Sequence, residues 1–216
     1  EFYAELLGTL RELGIEVSIH TMPNELPDPI PFPDDELHDA YLPEHARARM
    51  KAHVQSDRVL QGFRARFTGK CSPVHFFWGS FDLAVTRFLG RAAPEHPGGI
   101  PFLPDEITRE AYSHEVSSCG FWPGNREAPE PFFYSYAYPT PEGYAEAAVE
   151  PTAAYWLTDL GEFVLPYEAV RVADSPDAAI DAFLQSTYAA AANLADWDRR
   201  NLEWEPGYRP LARRRF

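Results

Sequence analysis

The 216-residue sequence predicts an α+β fold, a mainly antiparallel sheet covered by helices. Three observations carry that expectation. Helical spacing dominates residues 1–70 and returns at 171–205. Between them, 71–170 breaks into six short strand-like segments separated by Gly and Pro clusters. No internal repeat, low-complexity tract or convincing linker divides the chain, so a single domain over 1–216 is expected.

In the first part, Phe2, Leu6, Leu10 and Leu13 recur near helical spacing up to Gly14, a residue type common just past a helix end. Ile15, Val17 and Ile19 alternate with Glu16, Ser18 and His20, as a half-buried strand should. "MPNELPDPIPFPDD" carries five prolines between Pro23 and Pro33, which interrupt helix and ladder hydrogen bonding alike, so it reads as an extended connector. Pro43 suits the first turn of a longer helix reaching about Arg66, with Met50, Val54, Phe63 and Phe67 inward. The strands follow as "SPVHFFW", "FDLAVTRF", "SHEVSSCGFW", "PFFYSYAY", "AAYWLTD" and "EFVLPY". Ser175 and Pro176 then open a helix whose face holds Ile180, Phe183, Leu184, Thr187, Ala191, Leu194 and Trp197.

With 33 acidic against 19 basic residues the net charge is -14, which argues against nucleic acid and anionic membranes as partners. No stretch approaches the run of roughly 18 apolar residues that a membrane span needs. Two cysteines without a CxxC pair favour a reducing compartment, and cytoplasm is the expected location. Charge is uneven: Glu44–Lys70 holds Arg47, Arg49, Lys51, Arg58, Arg64, Arg66 and Lys70 against Glu44 and Asp57. Such a run is usually a solvated helix face paired with acidic neighbours. The terminal "RPLARRRF" reads as a frayed tail.

The chemistry concentrates in "HFFWGSFDLAVTRF", residues 75–88. A two-residue turn at Gly79-Ser80, type II′ with glycine first, pairs Phe76 with Leu83 and His75 with Ala84. Alternation then puts Val74, Phe76, Trp78, Phe81, Leu83 and Val85 on a core face and His75, Phe77, Asp82, Ala84 and Thr86 on the other. His75 and Asp82 become diagonal neighbours, the arrangement of a base and the carboxylate that orients it. Arg87 falls on the apolar side near the strand end and is expected to reach the rim, there to pair with a carboxylate or clamp an anionic ligand. In "YSHEVSSCGFWPG", His114 and Glu115 point to opposite faces, and Trp122 shares the face of His114. Cys119, among small residues, reads as buried rather than nucleophilic. Neither HExxH nor a close histidine pair supports a metal, and GxSxG, GxGxxG and P-loop spacings are missing, so no cofactor is identified. Phe132, Tyr134, Tyr136 and Tyr138 share a strand face that could line a pocket.

At "CSPVHFFWGSFDLAVTRFLGR", "EAYSHEVSSCGFWPG" and "DAFLQSTYAAAANLADWDR" the chain resembles an uncharacterised bacterial family, the domain of unknown function 5996. The resemblance runs from "TMPNELPDPIPF" onward and implies no activity, cofactor or catalytic residue. It implies further N-terminal sequence of strand-like character, in keeping with a fragment that begins in mid-helix at Glu1.

Two functions compete. One is a small-molecule pocket, with proton transfer or hydrolysis as the reaction class if it is an enzyme, His75 as base, Asp82 as its partner, and Arg87, His114, Glu115 and Trp122 around the ligand. The other is a non-catalytic interaction domain that holds a protein through the Pro-rich segment and the basic helix.

Overall fold

A computed structural model describes residues 1–126 and 128–204; the "RPLARRRF" tail and the last position of the 171–205 segment lie outside them. Among the described residues the helices are α1 (Phe2–Glu12), α2 (Pro43–Ala65), α3 (Asp105–Ala111), α4 (Tyr167–Arg171), α5 (Pro176–Leu194) and α6 (Arg199–Leu202). The strands are β1 (His75–Phe76), β2 (Leu83–Ala92), β3 (His114–Trp122), β4 (Phe132–Tyr138), β5 (Tyr155–Leu157) and β6 (Glu162–Pro166). They form one antiparallel sheet in the order β1-β2-β3-β4-β6-β5, so the α+β reading holds and each strand-like segment contributes a strand.

Alternation sorts the side chains. Leu83, Val85, Cys119, Phe121, Phe133, Phe163 and Leu165 share the face on which α2 and α5 lie, against Leu60, Phe63, Phe183, Leu184 and Tyr188. Each large apolar side chain buried there contributes roughly 1.5–3 kcal/mol relative to exposure. The buried stripe of α2 is His53, Ser56, Val59, Leu60 and Phe63, continued by Phe67. Met50 and Val54, expected inward, are 64% and 49% exposed. The helix has put a histidine and a serine into the interface instead, and both matter below.

Five of the seven cations between 44 and 70 are engaged within the chain, Arg49 over the Phe81 ring at 4.2 Å and Lys70 over that of Phe88 at 4.5 Å. Arg58 grips Asp177 with two hydrogen bonds of 2.6 and 2.7 Å, Arg66 pairs with Asp181, and Arg64 donates to the Ser72 carbonyl at 2.7 Å. The paired helix face expected from the charge run is therefore what forms on that side of α2.

Two local expectations change. Residues 15–20 belong to no strand among the described residues, and Ile15, Val17 and Ile19 remain 46–47% exposed. Alternation makes a strand only where a ladder partner is available, and none pairs here. In the β1–β2 hairpin the pairs His75–Ala84 and Phe76–Leu83 form as expected, but the turn is not type II′. The Phe77 carbonyl accepts from Phe81 N while Phe77 N donates to the Asp82 carbonyl, so two residues oppose one in a bulge with Phe81 at φ +64°. The extra residue throws Trp78 and Phe81, expected in the core, outward to 79% and 44% exposure.

Candidate functional site

On the sheet face away from α2 and α5, Ala84, Val116, Ser118 and Tyr134 are buried. Tyr112, just past α3, covers part of that face through ring contacts with Tyr136 and Tyr138, and His96 stacks on Tyr112 at 4.9 Å. Here Asp82 is buried and held at both oxygens: the Ser80 hydroxyl donates to Oδ1 and the Tyr134 hydroxyl to Oδ2, each at 2.5 Å. Trp122 Nε1 donates to the Ser80 carbonyl at 3.1 Å and fixes the turn that carries the serine.

Gly120 makes this arrangement possible. It stands opposite Ala84 on one side and Tyr134 on the other, and a Cβ there would lie 2.6 Å from the Tyr134 ring and 2.0 Å from the Leu83 carbonyl. Without a side chain in the way, the tyrosine lies across β3 and delivers its hydroxyl from β4 to the aspartate that precedes β2. Gly79 serves close approach in the same way, since a Cβ would meet the Glu25 carboxyl at 2.6 Å.

The hydroxyls are linked. Tyr112 and Tyr136 share a hydrogen bond of 2.8 Å between their oxygens, as do Thr86 and Ser118. Burial holds Tyr134 and Tyr136 well above the ordinary 10 and raises Tyr112, so all three remain neutral phenols. Carboxyls surround them. Burial, then the charge of Asp82, raises Glu25. The same two causes lift Glu162 to about 7, and its side chain has no hydrogen-bond partner among the described residues. Glu162 is thus a proton donor or acceptor poised near neutrality beside phenols that can only share theirs. Among the described residues, no three His, Cys, Asp or Glu side chains come together in a way that could hold a metal ion.

The residues singled out from sequence separate into two groups. Asp82 and Trp122 meet through Ser80. His75 shares their face, but its ring packs on Phe77 at 4.5 Å and makes no hydrogen bond among the described residues; the His75–Asp82 dyad does not form, and the aspartate's partners are instead Ser80 and Tyr134. His114 lies at the far end of β3, opposite Ala92, bonded to the Ser113 hydroxyl. Glu115 is on the opposite face, paired with Arg91.

Arg87 requires the largest correction. It is 1% exposed, not at the rim, with its guanidinium 3.5 Å from the Phe63 ring centre and 4.2 Å from that of Tyr188. Its Nη2 donates to the Phe63 carbonyl at 2.5 Å, and its Nε has no partner among the described residues. The aromatic box of α2 and α5 closes over the strand end that sequence alone leaves open. Cys119 is buried as expected, and desolvation pushes its thiol to about 12.

The tyrosine row at 134–138 was visible as period-two alternation. Glu25 and Glu162 were not: each is one acidic residue in a loop or at a strand start, and only the chain's long-range path brings them to Asp82.

Fold and site define an α+β protein whose antiparallel sheet has one face in the helix-covered core and the other lined with tyrosines and carboxyls. The chain belongs to a family of unknown function, DUF5996, whose model matches residues 1–204. No curated protein and no solved structure matches it.

Proposed function

We propose that the tyrosine-lined face binds a small polar molecule and transfers a proton to or from it, with Glu162 as the acid–base group and the Asp82–Tyr134 pair as a hydrogen-bonding anchor. The observation that carries this is the unpartnered Glu162 carboxyl, held near neutrality beside Asp82. A general acid–base works best with its pKa near the working pH, and this half-buried carboxyl has no partner among the described residues that ties it to the fold. His75 is the base that the local pattern favours; Glu162 supplants it because its environment tunes it and that of His75 offers no hydrogen bond. Trp122, with its indole nitrogen on the turn, flanks the anchor.

The alternative, a docking domain built on the Pro-rich segment and basic helix, has less support, since Arg58, Arg64 and Arg66 are committed within the chain and Glu25 of the Pro-rich segment turns in toward Asp82. The test is saturation-transfer NMR on wild-type protein with mixtures of small metabolites, repeated with Glu162→Gln and Tyr134→Phe. Ligands that bind the wild type should bind Tyr134→Phe more weakly, and their exchange of protons with solvent should lose its inflection near neutral pH in Glu162→Gln. Binding that neither change affects would reject the assignment.

A further inference from the structure

On the other side of the sheet, α2, α4 and the start of α5 enclose a cleft of about 470 Å³, within the range of small-molecule sites. Its apolar lining is Ala52, Phe133, Val170 and Ile180. Among them stands Ser56, 2% exposed, whose hydroxyl makes no hydrogen bond among the described residues and does not bond back to the carbonyl of Ala52 one turn earlier. Serine is a poorer helix former than alanine and no group among the described residues bonds its hydroxyl, so packing alone does not account for it.

The mouth supplies two further partners. Ser175 precedes α5 without capping it by its side chain, Pro176 has no N–H, and the N–H groups of Asp177 and Ala178 bond to nothing among the described residues. A 19-residue helix thus presents free donors and the positive end of its dipole. Beside it the Asp174 carboxylate has no ion-pair or hydrogen-bond partner among the described residues, whereas Asp177 is neutralised by Arg58 and Arg171 by Glu168. An anion alone would meet Asp174, and a cation alone would meet the helix start.

We propose that this cleft binds a free α-amino acid with an apolar side chain: the side chain on the apolar lining beside Ser56, the carboxylate at the start of α5 and the ammonium at Asp174. This site is separate from the tyrosine-lined face. The probe is L-phenylalanine, titrated into the full chain and followed by the amide shifts of Ser56, Asp177 and Ile180. Phenylacetate and phenethylamine, each lacking one charge, should bind at least about tenfold more weakly. Asp174→Asn should weaken L-phenylalanine several-fold, and Ser56→Ala about fivefold while melting no lower than wild type, the pattern of a residue kept for binding. No shift at those amides up to about 10 mM, or equal binding of all three compounds, would overturn the proposal.

Discussion

Glu162 gives the candidate site a pH signature in stability alone. An unfolded glutamate ionises near 4.5, whereas the native carboxyl keeps its proton to about 7, because burial and the Asp82 charge oppose ionisation. Between those values the native state binds more protons than the unfolded one, so stability falls as pH rises across the window and stays lower above it. Glu162→Gln should remove that loss: it should be more stable than wild type above pH 7, by on the order of 2 kcal/mol, with the gap shrinking as pH falls toward 4.5. Urea melts at several pH values would measure it; a constant difference would show that the carboxyl titrates normally. Arg87 gives a second test. Its desolvated charge has aromatic faces and one carbonyl but, among the described residues, no carboxylate within hydrogen-bonding distance, so Arg87→Met should lie within about 1 kcal/mol of wild type while Arg87→Ala, which empties the aromatic box, should cost about 3 kcal/mol or more. A methionine variant as damaged as the alanine one would mean the cation itself stabilises the core. Sequence placed Arg87 on the apolar face correctly, because strand parity is local, but missed its depth, which Phe63 and Tyr188 set from helices far along the chain.

At the level of elements, parity carries further than turns or helix faces. The register of β1 with β2 was legible from the hairpin, since pairs counted back from a short turn leave few choices; the bulge was not, because a phenylalanine at φ +64° has no local signature. In α2 the apolar residues Met50 and Val54 suggested one face, and the helix packs with another that includes His53. Both ring nitrogens of His53 face carbonyls, Nδ1 that of Arg49 at 2.9 Å and Nε2 that of Phe81 at 3.2 Å, and its ring meets Phe76 and Phe121 edge-on. A histidine that ties a helix to a hairpin bulge is invisible to any count of apolar periodicity. The packing face is tested by Leu60→Ala, which should cost about 2–5 kcal/mol, against Met50→Ala and Val54→Ala at no more than about 0.5 kcal/mol each. Comparable losses at all three positions, by chemical denaturation, would place the wrong face of α2 against the sheet.

Across the whole molecule, burial is concentrated around the four strands β2, β3, β4 and β6 and the helices over them, and the N-terminal portion stands largely apart. The strand-like segments were enough to forecast the antiparallel sheet, but not its order: β6 returns between β4 and β5, a choice made by Phe163 and Leu165 entering the core rather than by any turn motif. Helix α1 buries none of its residues, residues 15–19 pair with no strand, and Tyr3 reaches the rest of the chain through a ring contact with Phe32 at 6.3 Å. Apolar side chains that remain about half exposed contribute little of the roughly 25 cal/mol per Å² that complete burial supplies. Removing residues 1–19 should therefore lower the melting temperature by no more than about 3 °C and leave amide exchange in β3 and β4 governed by global unfolding. A drop beyond about 10 °C, or early exchange in those strands, would mean that α1 and the segment after it stabilise the sheet through contacts not found among the described residues.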